Sequence, residues 1–156
     1  VCPMFISRDS QLSNVDDVFN GIMVRGDSTG DVVFYGKGAG KLPTASAVVA
    51  DVIDCVKHFK ARKYLFWDEG SKDYVEDYLL NEVAMFVRAK TDDEGLAFKN
   101  INQMFGEVTR LSLPKAEDGE IAFVTGTMQE KEIVAKLTEL QTLGVSVVNT
   151  IRIGDL

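Results

Sequence analysis

One histidine, two cysteines and three prolines are spread over 156 residues. Each scarcity closes off a kind of chemistry. With His58 alone and no Cys-x-x-Cys pair, the sequence holds no ligand set for a zinc centre. It also lacks a credible Ser-His-Asp or Cys-His arrangement for nucleophilic catalysis. His58 lies in the basic run "KHFKARK" and reads as a solvated surface residue. Cys2 and Cys55 read as reduced thiols of a cytoplasmic protein rather than a disulfide framework. No apolar run approaches the roughly 18 residues that a membrane helix needs. The opening "VCPMFISRDS" has neither the basic start nor the apolar core of a secretory signal. Positive charge is also short: 17 Lys and Arg stand against 24 Asp and Glu, a net charge of −7. That balance argues against nucleic acid as a partner, because phosphate contacts need a surplus of cations on one face.

What is present is enough for a packed core. Apolar residues make up 46% of the chain and charged residues 26%, values typical of folded domains rather than disorder. Three stretches follow from the patterning. Residues 1–60 begin with β-formers at Ile22, Val24 and Val32 to Tyr35, broken by the turn-rich "RGDSTGD". A glycine loop follows, and Pro43 marks the first turn of a helix. Ala45, Val48, Val49, Val52, Val56 and Phe59 keep a 3.6-residue period and give that helix one apolar face. Residues 61–80 read as a linker: Lys57, Lys60, Arg62 and Lys63 give way to Asp68, Glu69, Asp73, Glu76 and Asp77, with Leu65, Phe66 and Trp67 expected to pack on a neighbour.

Residues 81–156 are more regular. A strand carries Val83, Met85 and Val87 on one face, and a helix after "TDDEG" turns Ala97, Ile101, Met104 and Phe105 inward. A strand follows with Thr109, Leu111 and Leu113, then a turn at "KAEDGE", then a strand with Ile121, Phe123 and Thr125. Thr127 and Glu130 have capping-box spacing ahead of a helix with Ile133, Leu137 and Leu140. Gly144 ends it, and "VSVVNTIRI" places Val145, Val147, Ile151 and Ile153 in period two. Strand, helix, strand, strand, helix, strand is the order of the ferredoxin-like βαββαβ unit. The fold class expected is α+β.

The loop "YGKGAGKLPT" at residues 35–44 is the densest glycine cluster in the chain. It fails the phosphate-loop pattern twice, with Tyr35 where the first glycine belongs and Leu42 where the hydroxyl belongs. It fails the Gly-x-Gly-x-x-Gly fingerprint too, since counting from Gly36 ends on Lys41 and from Gly38 on Pro43. Two readings remain on spacing alone. One is a turn that needs glycine only for its backbone angles; the other is an anion site, since a strand feeds the loop and a helix N-terminus leaves it.

The run "FYGKGAGKLPTASAVVADVID" resembles a segment of homoserine dehydrogenases, with Gly36, Gly38, Ala39, Gly40, Pro43, Thr44, Ala45, Ser46, Ala47, Val48 and Asp51 all fitting the family's pattern. Upstream, Val1, Pro3, Ile6, Leu12, Val15, Asn20, Gly26 and Asp27 also fit, while Cys2 stands where a histidine is usual and Lys37 where proline is common. The resemblance implies that residues 1–60 are the end of the family's catalytic and dimerisation region. It further implies that Gly38, Ala39, Gly40 and Thr44 neighbour a nicotinamide cofactor, NADP or NAD.

Residues 81–156 are similar to the ACT domain that ends many bacterial members. Asp92, Asp93, Gly95 and Leu96 match the turn that meets an amino-acid effector in such domains, and Glu94 replaces the usual proline. Threonine is then the first effector to consider. Use of this module for assembly alone remains an equal alternative. The family's dinucleotide-binding domain and its catalytic lysine and carboxylates are not among these residues. The resemblance therefore implies a C-terminal piece of an oxidoreductase of threonine and methionine biosynthesis. Such a piece is expected to be inactive alone, to bind NADP or NAD weakly, and to assemble as a homo-oligomer through the exposed stripe of its first helix. The alternative is a stand-alone ACT-type binding or oligomerisation module.

Overall fold

The computed structural model describes residues 1–61, 66–71, 74–112 and 114–154. Arg62, Lys63, Leu65, Asp73 and Leu113, used in the sequence reading, lie outside the described residues. In chain order the elements are β1 (Met4–Phe5), β2 (Phe19–Gly26), β3 (Gly30–Lys37), α1 (Lys41–Lys57), β4 (Glu82–Lys90), α2 (Glu94–Phe105), β5 (Thr109–Leu111), β6 (Glu120–Val124), β7 (Met128–Gln129), α3 (Glu130–Thr142) and β8 (Ser146–Ile153). Single 3-10 turns occur at Gln11–Asn14 and Tyr78–Leu80.

The chain divides into two compact units: Val1–Ser7 with the chain from Ser71 onward, and Arg8–Gly70. Residues 1–7 thus fold with the later part of the chain, whereas the sequence reading grouped them with residues 8–60. The expected mixed α+β class is what the structure has.

The unit from Ser71 is built on one sheet with strand order β1-β8-β4-β6-β5, and β7 adds to the end of β4. The pairings β8–β4, β4–β6 and β6–β5 are antiparallel. β4 is therefore central, and its residues alternate faces with period two. Met85, Val87 and Ala89 point to one face, where they meet Ile121 and Phe123 of β6, Ala97, Phe98, Ile101 and Phe105 of α2, and Ile133, Leu137 and Leu140 of α3. Phe123 has no exposure and touches two aromatic neighbours, with ring centroids 6.4 Å from Phe98 and 6.1 Å from Phe105. Burying one such ring stabilises the fold by about 1.5–3 kcal/mol relative to leaving it in water.

Local signals explain the helices. Asp93 precedes α2 and its Oδ1 accepts a hydrogen bond from the Leu96 amide at 2.9 Å, replacing one of the amide partners a helix start lacks. α3 departs from expectation. Thr127 does not cap it; the residue before the helix is Gln129, which makes no side-chain cap bond. Glu130 is drawn instead into a two-pronged pair with Arg152, its Oε2 accepting from Arg152 Nε at 2.8 Å. A charge-assisted pair of this kind outweighs a capping-box bond.

β8 departs as well. Ala89 pairs with Val147 and Arg88 with Asn149, so Val148 is an extra residue in a bulge. The bulge reverses the alternation. Val147 stays on the helix-covered face with Ala89, whereas Ile151 and Ile153 pair with Phe86 and Ala84 on the opposite face. The four residues that sequence alternation put on one side are thus split between two. β5 is short, and its residues are exposed.

The unit Arg8–Gly70 has a hairpin and a helix. β2 and β3 pair in full antiparallel register from Phe19–Lys37 to Gly26–Gly30 around the turn expected at "RGDSTGD". Ile22 faces Phe34 and Val24 faces Val32 on one side, and all four are exposed. On the other side Phe19 and Tyr35 stack with ring centroids 5.0 Å apart. α1 carries the expected apolar stripe, yet Val48, Val49, Val52, Ile53 and Val56 are all exposed. Among the described residues of this unit only Ser10 is buried. Phe66 and Trp67, which the sequence led us to expect packed, are exposed.

The two units therefore answer mutation differently. Phe123→Ala is expected to cost about 3–5 kcal/mol in urea unfolding. Val52→Ala, at an exposed site, should stay within about 0.5 kcal/mol.

Candidate functional site

The glycine loop is delivered by the β2–β3 hairpin and ends on α1. Gly40 is the residue before the helix, with φ +123° and ψ 155°, a region that only glycine occupies without strain. Gly38 is fixed by a different cause. A Cβ there would lie 1.4 Å from Asn20 Nδ2, so any larger residue requires the Asn20 side chain to move. Gly38, Ala39, Gly40 and Thr44 are all exposed. The Thr44 amide donates to the Gly40 carbonyl at 3.2 Å, and no side chain caps α1. Pro43 occupies the first turn, as its restricted φ favours. The result is an open backbone turn with the positive end of a helix behind it, able to accept an anionic or carboxamide group on one side.

The turn that the resemblance matched to an effector site is placed differently. Asp92 lines a cavity of about 400 Å³ with Lys90, Thr91, Asp118, Gly119, Gly144 and Ser146. Asp93 is spent on capping α2, and Gly95 and Leu96 lie within the helix. The structure thus brings one of the four sequence-derived residues to a cavity and sets the other three beside it. The Thr91 amide donates to the Gly119 carbonyl at 2.9 Å, and a Cβ on Gly119 would meet Thr91 O at 2.7 Å, so the two loops are closely joined. Sequence reasoning missed Lys90, Asp118, Gly119 and Ser146, although "AEDGE" had been read as a turn. Lys90 is held by the Glu117 carboxylate, which raises the lysine pKa and is itself lowered in return. With that lysine paired, Asp92 and Asp118 leave the cavity with a negative lining that suits an ammonium group.

A second cavity of about 430 Å³ is lined by Cys2, Met4, Tyr78, Asn81, Glu130 and Arg152, among others. Glu130 is buried, and it raises the Arg152 pKa above its ordinary value, with a smaller contribution from Cys2 beside it. Arg152 also lies 5.7 Å from the Tyr78 ring centroid. Sequence patterning gave no sign of this pair, because Glu130 and Arg152 are far apart in the chain and the spacing from Thr127 pointed Glu130 to a capping box instead. Among the described residues no group of three metal-binding side chains comes together, and no helix is long and apolar enough to cross a membrane.

The family profile of homoserine dehydrogenase matches residues 1–53. The homoserine dehydrogenase of Helicobacter pylori is 32% identical over 150 residues, covering 92% of this chain and 35% of that protein. The homoserine dehydrogenase of Bacillus subtilis is 30% identical over 159 residues, covering 93% and 36%. A solved homoserine dehydrogenase from Thiobacillus denitrificans superimposes with a TM-score of 0.77 at 26% identity, over 99% of this chain and 38% of that one. The chain thus spans about a third of the length of the relatives it matches.

The hairpin that carries the glycine loop gives a pH-dependent signal. Arg25 donates to both oxygens of Asp31 at 2.8 and 3.2 Å, and that bond lowers the Asp31 pKa. A carboxylate depressed in the folded state stabilises it above the unfolded pKa, and the gain is lost as pH falls through the folded value. An NMR titration should give Asp31 a midpoint below the ordinary aspartate value of about 3.9, and Arg25→Gln should return it there.

Proposed function

We propose that this chain, homologous to a segment of homoserine dehydrogenases, supplies the cofactor-side loop of such an enzyme together with an ACT-type amino-acid-binding module. The reaction is the oxidation of homoserine to aspartate semialdehyde with NAD(P)+, or its reverse. The observation that carries this reading is Gly40 in a glycine-only conformation at the uncapped start of α1, inside the stretch that matches the family.

The residues present fit one side of a nicotinamide cofactor. Gly38 and Gly40 keep side chains away from the turn, and the first amides of α1 face outward to accept a polar group. Gly38, Ala39, Gly40 and Thr44 would hold that side, and the cofactor when bound supplies the hydride acceptor or donor. These residues position and exclude water; none of them is a general base, and the catalytic groups belong to the part of the enzyme outside this sequence. Chemistry needs both, so the chain alone is inactive and holds the cofactor weakly.

The exposed stripe of α1 and the exposed hairpin face support the same reading, because contiguous apolar surface of this kind marks an interface. The missing portion of the enzyme covers that surface in the whole protein. In its absence the stripe drives self-association into a homo-oligomer, the assembly we assign to this chain.

The strand order β8-β4-β6-β5, with two helices on one face, supports the ferredoxin-like ACT assignment for residues 81–154. The acidic lining at Asp92 and Asp118 supports recognition of an amino acid through its ammonium group, with threonine the first candidate. A second reading, a stand-alone ACT-type module, is favoured by one fact: among the described residues every buried hydrophobic side chain lies between Met85 and Val145.

Calorimetry tests the effector and half-site assignments. With L-threonine we expect measurable heat, reduced at least tenfold in affinity by Asp92→Asn, and with NADPH we expect none. Absence of threonine heat removes the effector assignment, and tight NADPH binding removes the half-site assignment. Sedimentation at the same concentration should show species larger than a monomer.

A further inference from the structure

Lys90 is the last residue of β4, and the strand register sets it between Ser146 of β8 and Glu120 of β6. It borders the cavity of about 400 Å³ together with Asp92, Asp118 and Ser146, and among the described lining residues it is the only cation. Its Nζ donates to Glu117 Oε2 at 2.5 Å, although Glu117 is not itself among the described lining residues. We propose that the Glu117 carboxylate is a built-in stand-in for a ligand carboxylate. An α-amino acid enters this cavity by displacing Glu117 from Lys90, while its ammonium group meets Asp92 and Asp118. The proposal rests on the effector reading above and adds to it the pair that selects amino acids over plain amines.

The carboxylates near Lys90 divide into committed and exchangeable ones. The Glu120 side chain is only 8% exposed, lies 3.6 Å from Arg88 Nη2 and accepts the Glu117 amide at 3.3 Å. Asp93 is bound to the first turn of α2. Glu117, by contrast, is 72% exposed and its partner Lys90 47%. An ion pair so open to water is weakly held and readily exchanged. The backbone beneath it is fixed, because the Thr91 amide bonds the Gly119 carbonyl and the Glu120 amide bonds the Glu117 carbonyl at 3.0 Å. The Glu117 side chain therefore swings away from Lys90 without the loop leaving the end of β4.

An α-amino acid carries both its charges on one carbon, and a cavity with a cation beside two carboxylates matches that arrangement. A plain amine is attracted by Asp92 and Asp118 but repelled by Lys90. The cavity lies within the roughly 300–1,000 Å³ of small-molecule sites. Competition by Glu117 reduces the apparent affinity by the fraction of time that Lys90 is free. A pair closed for about three quarters of the time weakens binding about fourfold.

The test is calorimetry of the full chain with L-threonine and with L-threoninol, in which an alcohol replaces the carboxylate and the ammonium group is kept. Glu117→Gln should tighten threonine at least threefold and leave threoninol unchanged or weaker. Lys90→Met should weaken threonine at least tenfold and leave threoninol unchanged or tighter. Threonine has no net charge, so a gain confined to it is not general charge attraction. Both substitutions are at solvated side chains, and thermal unfolding should show both variants folded like the wild type. Threonine bound no more tightly by Glu117→Gln overturns the inference and leaves the effector reading standing. So does Lys90→Met binding threonine like the wild type, and so does Glu117→Gln tightening both ligands alike. Threonine heat absent from the wild type and Glu117→Gln alike overturns both.

Discussion

The burial of Phe123 between β4, β6, α2 and α3 is the constraint on which the rest of this chain depends. Around it the residues from Met85 to Val145 remove their apolar surface from water without outside help. Among the described residues between Arg8 and Gly70 nothing comparable exists, and α1 and the hairpin present their apolar faces to solvent. One half of the sequence closes a core, and the other offers half of one. The difference has a physical source: a six-stranded sheet with two helices on one face can enclose side chains, whereas a two-stranded hairpin and one helix cannot.

That asymmetry gives the glycine loop its meaning. A loop required only to turn the chain could be built from many sequences, but this one combines two independent demands. Gly38 lies against Asn20, and Gly40 holds a conformation closed to other residues. Both leave backbone exposed at a helix start, which is what a site completed from elsewhere requires. In the function we propose, the loop serves as one wall of a cofactor site, and the other wall lies in the two thirds of the relatives' length that this chain does not span.

Much of the architecture was legible in the sequence. Period two in β4 and period 3.6 in α2 and α3 identified Met85, Val87, Ala97, Ile101, Ile133, Leu137 and Leu140, all of which are buried. Where the reading failed, a long-range interaction had overridden a local rule. Thr127 and Glu130 had capping-box spacing, but Arg152 claims Glu130 from across the fold. Ile151 and Ile153 had the right alternation, but the bulge at Val148 reverses it. The first seven residues lie in the same family-matching stretch as the segment they precede, and their pairing with β8 is a long-range contact that no local pattern announces. The glycine loop was assigned to a cofactor only by its resemblance, and spacing alone left it open between a turn and an anion site. At the cavity beside α2, the sequence marked Asp92 but not Lys90, Asp118 or Ser146, because these meet only when the strand ends are brought together.

The central claim is that residues 38–44 form one wall of a nicotinamide site whose other wall lies outside this sequence. Its most direct test grafts this chain onto the Helicobacter pylori homoserine dehydrogenase in place of the segment it aligns with, and measures NADPH affinity by fluorescence titration. The account predicts that the folded graft binds NADPH and that Gly40→Val weakens binding at least tenfold without unfolding the protein. A folded graft in which Gly40→Val binds NADPH as tightly as its parent would contradict it.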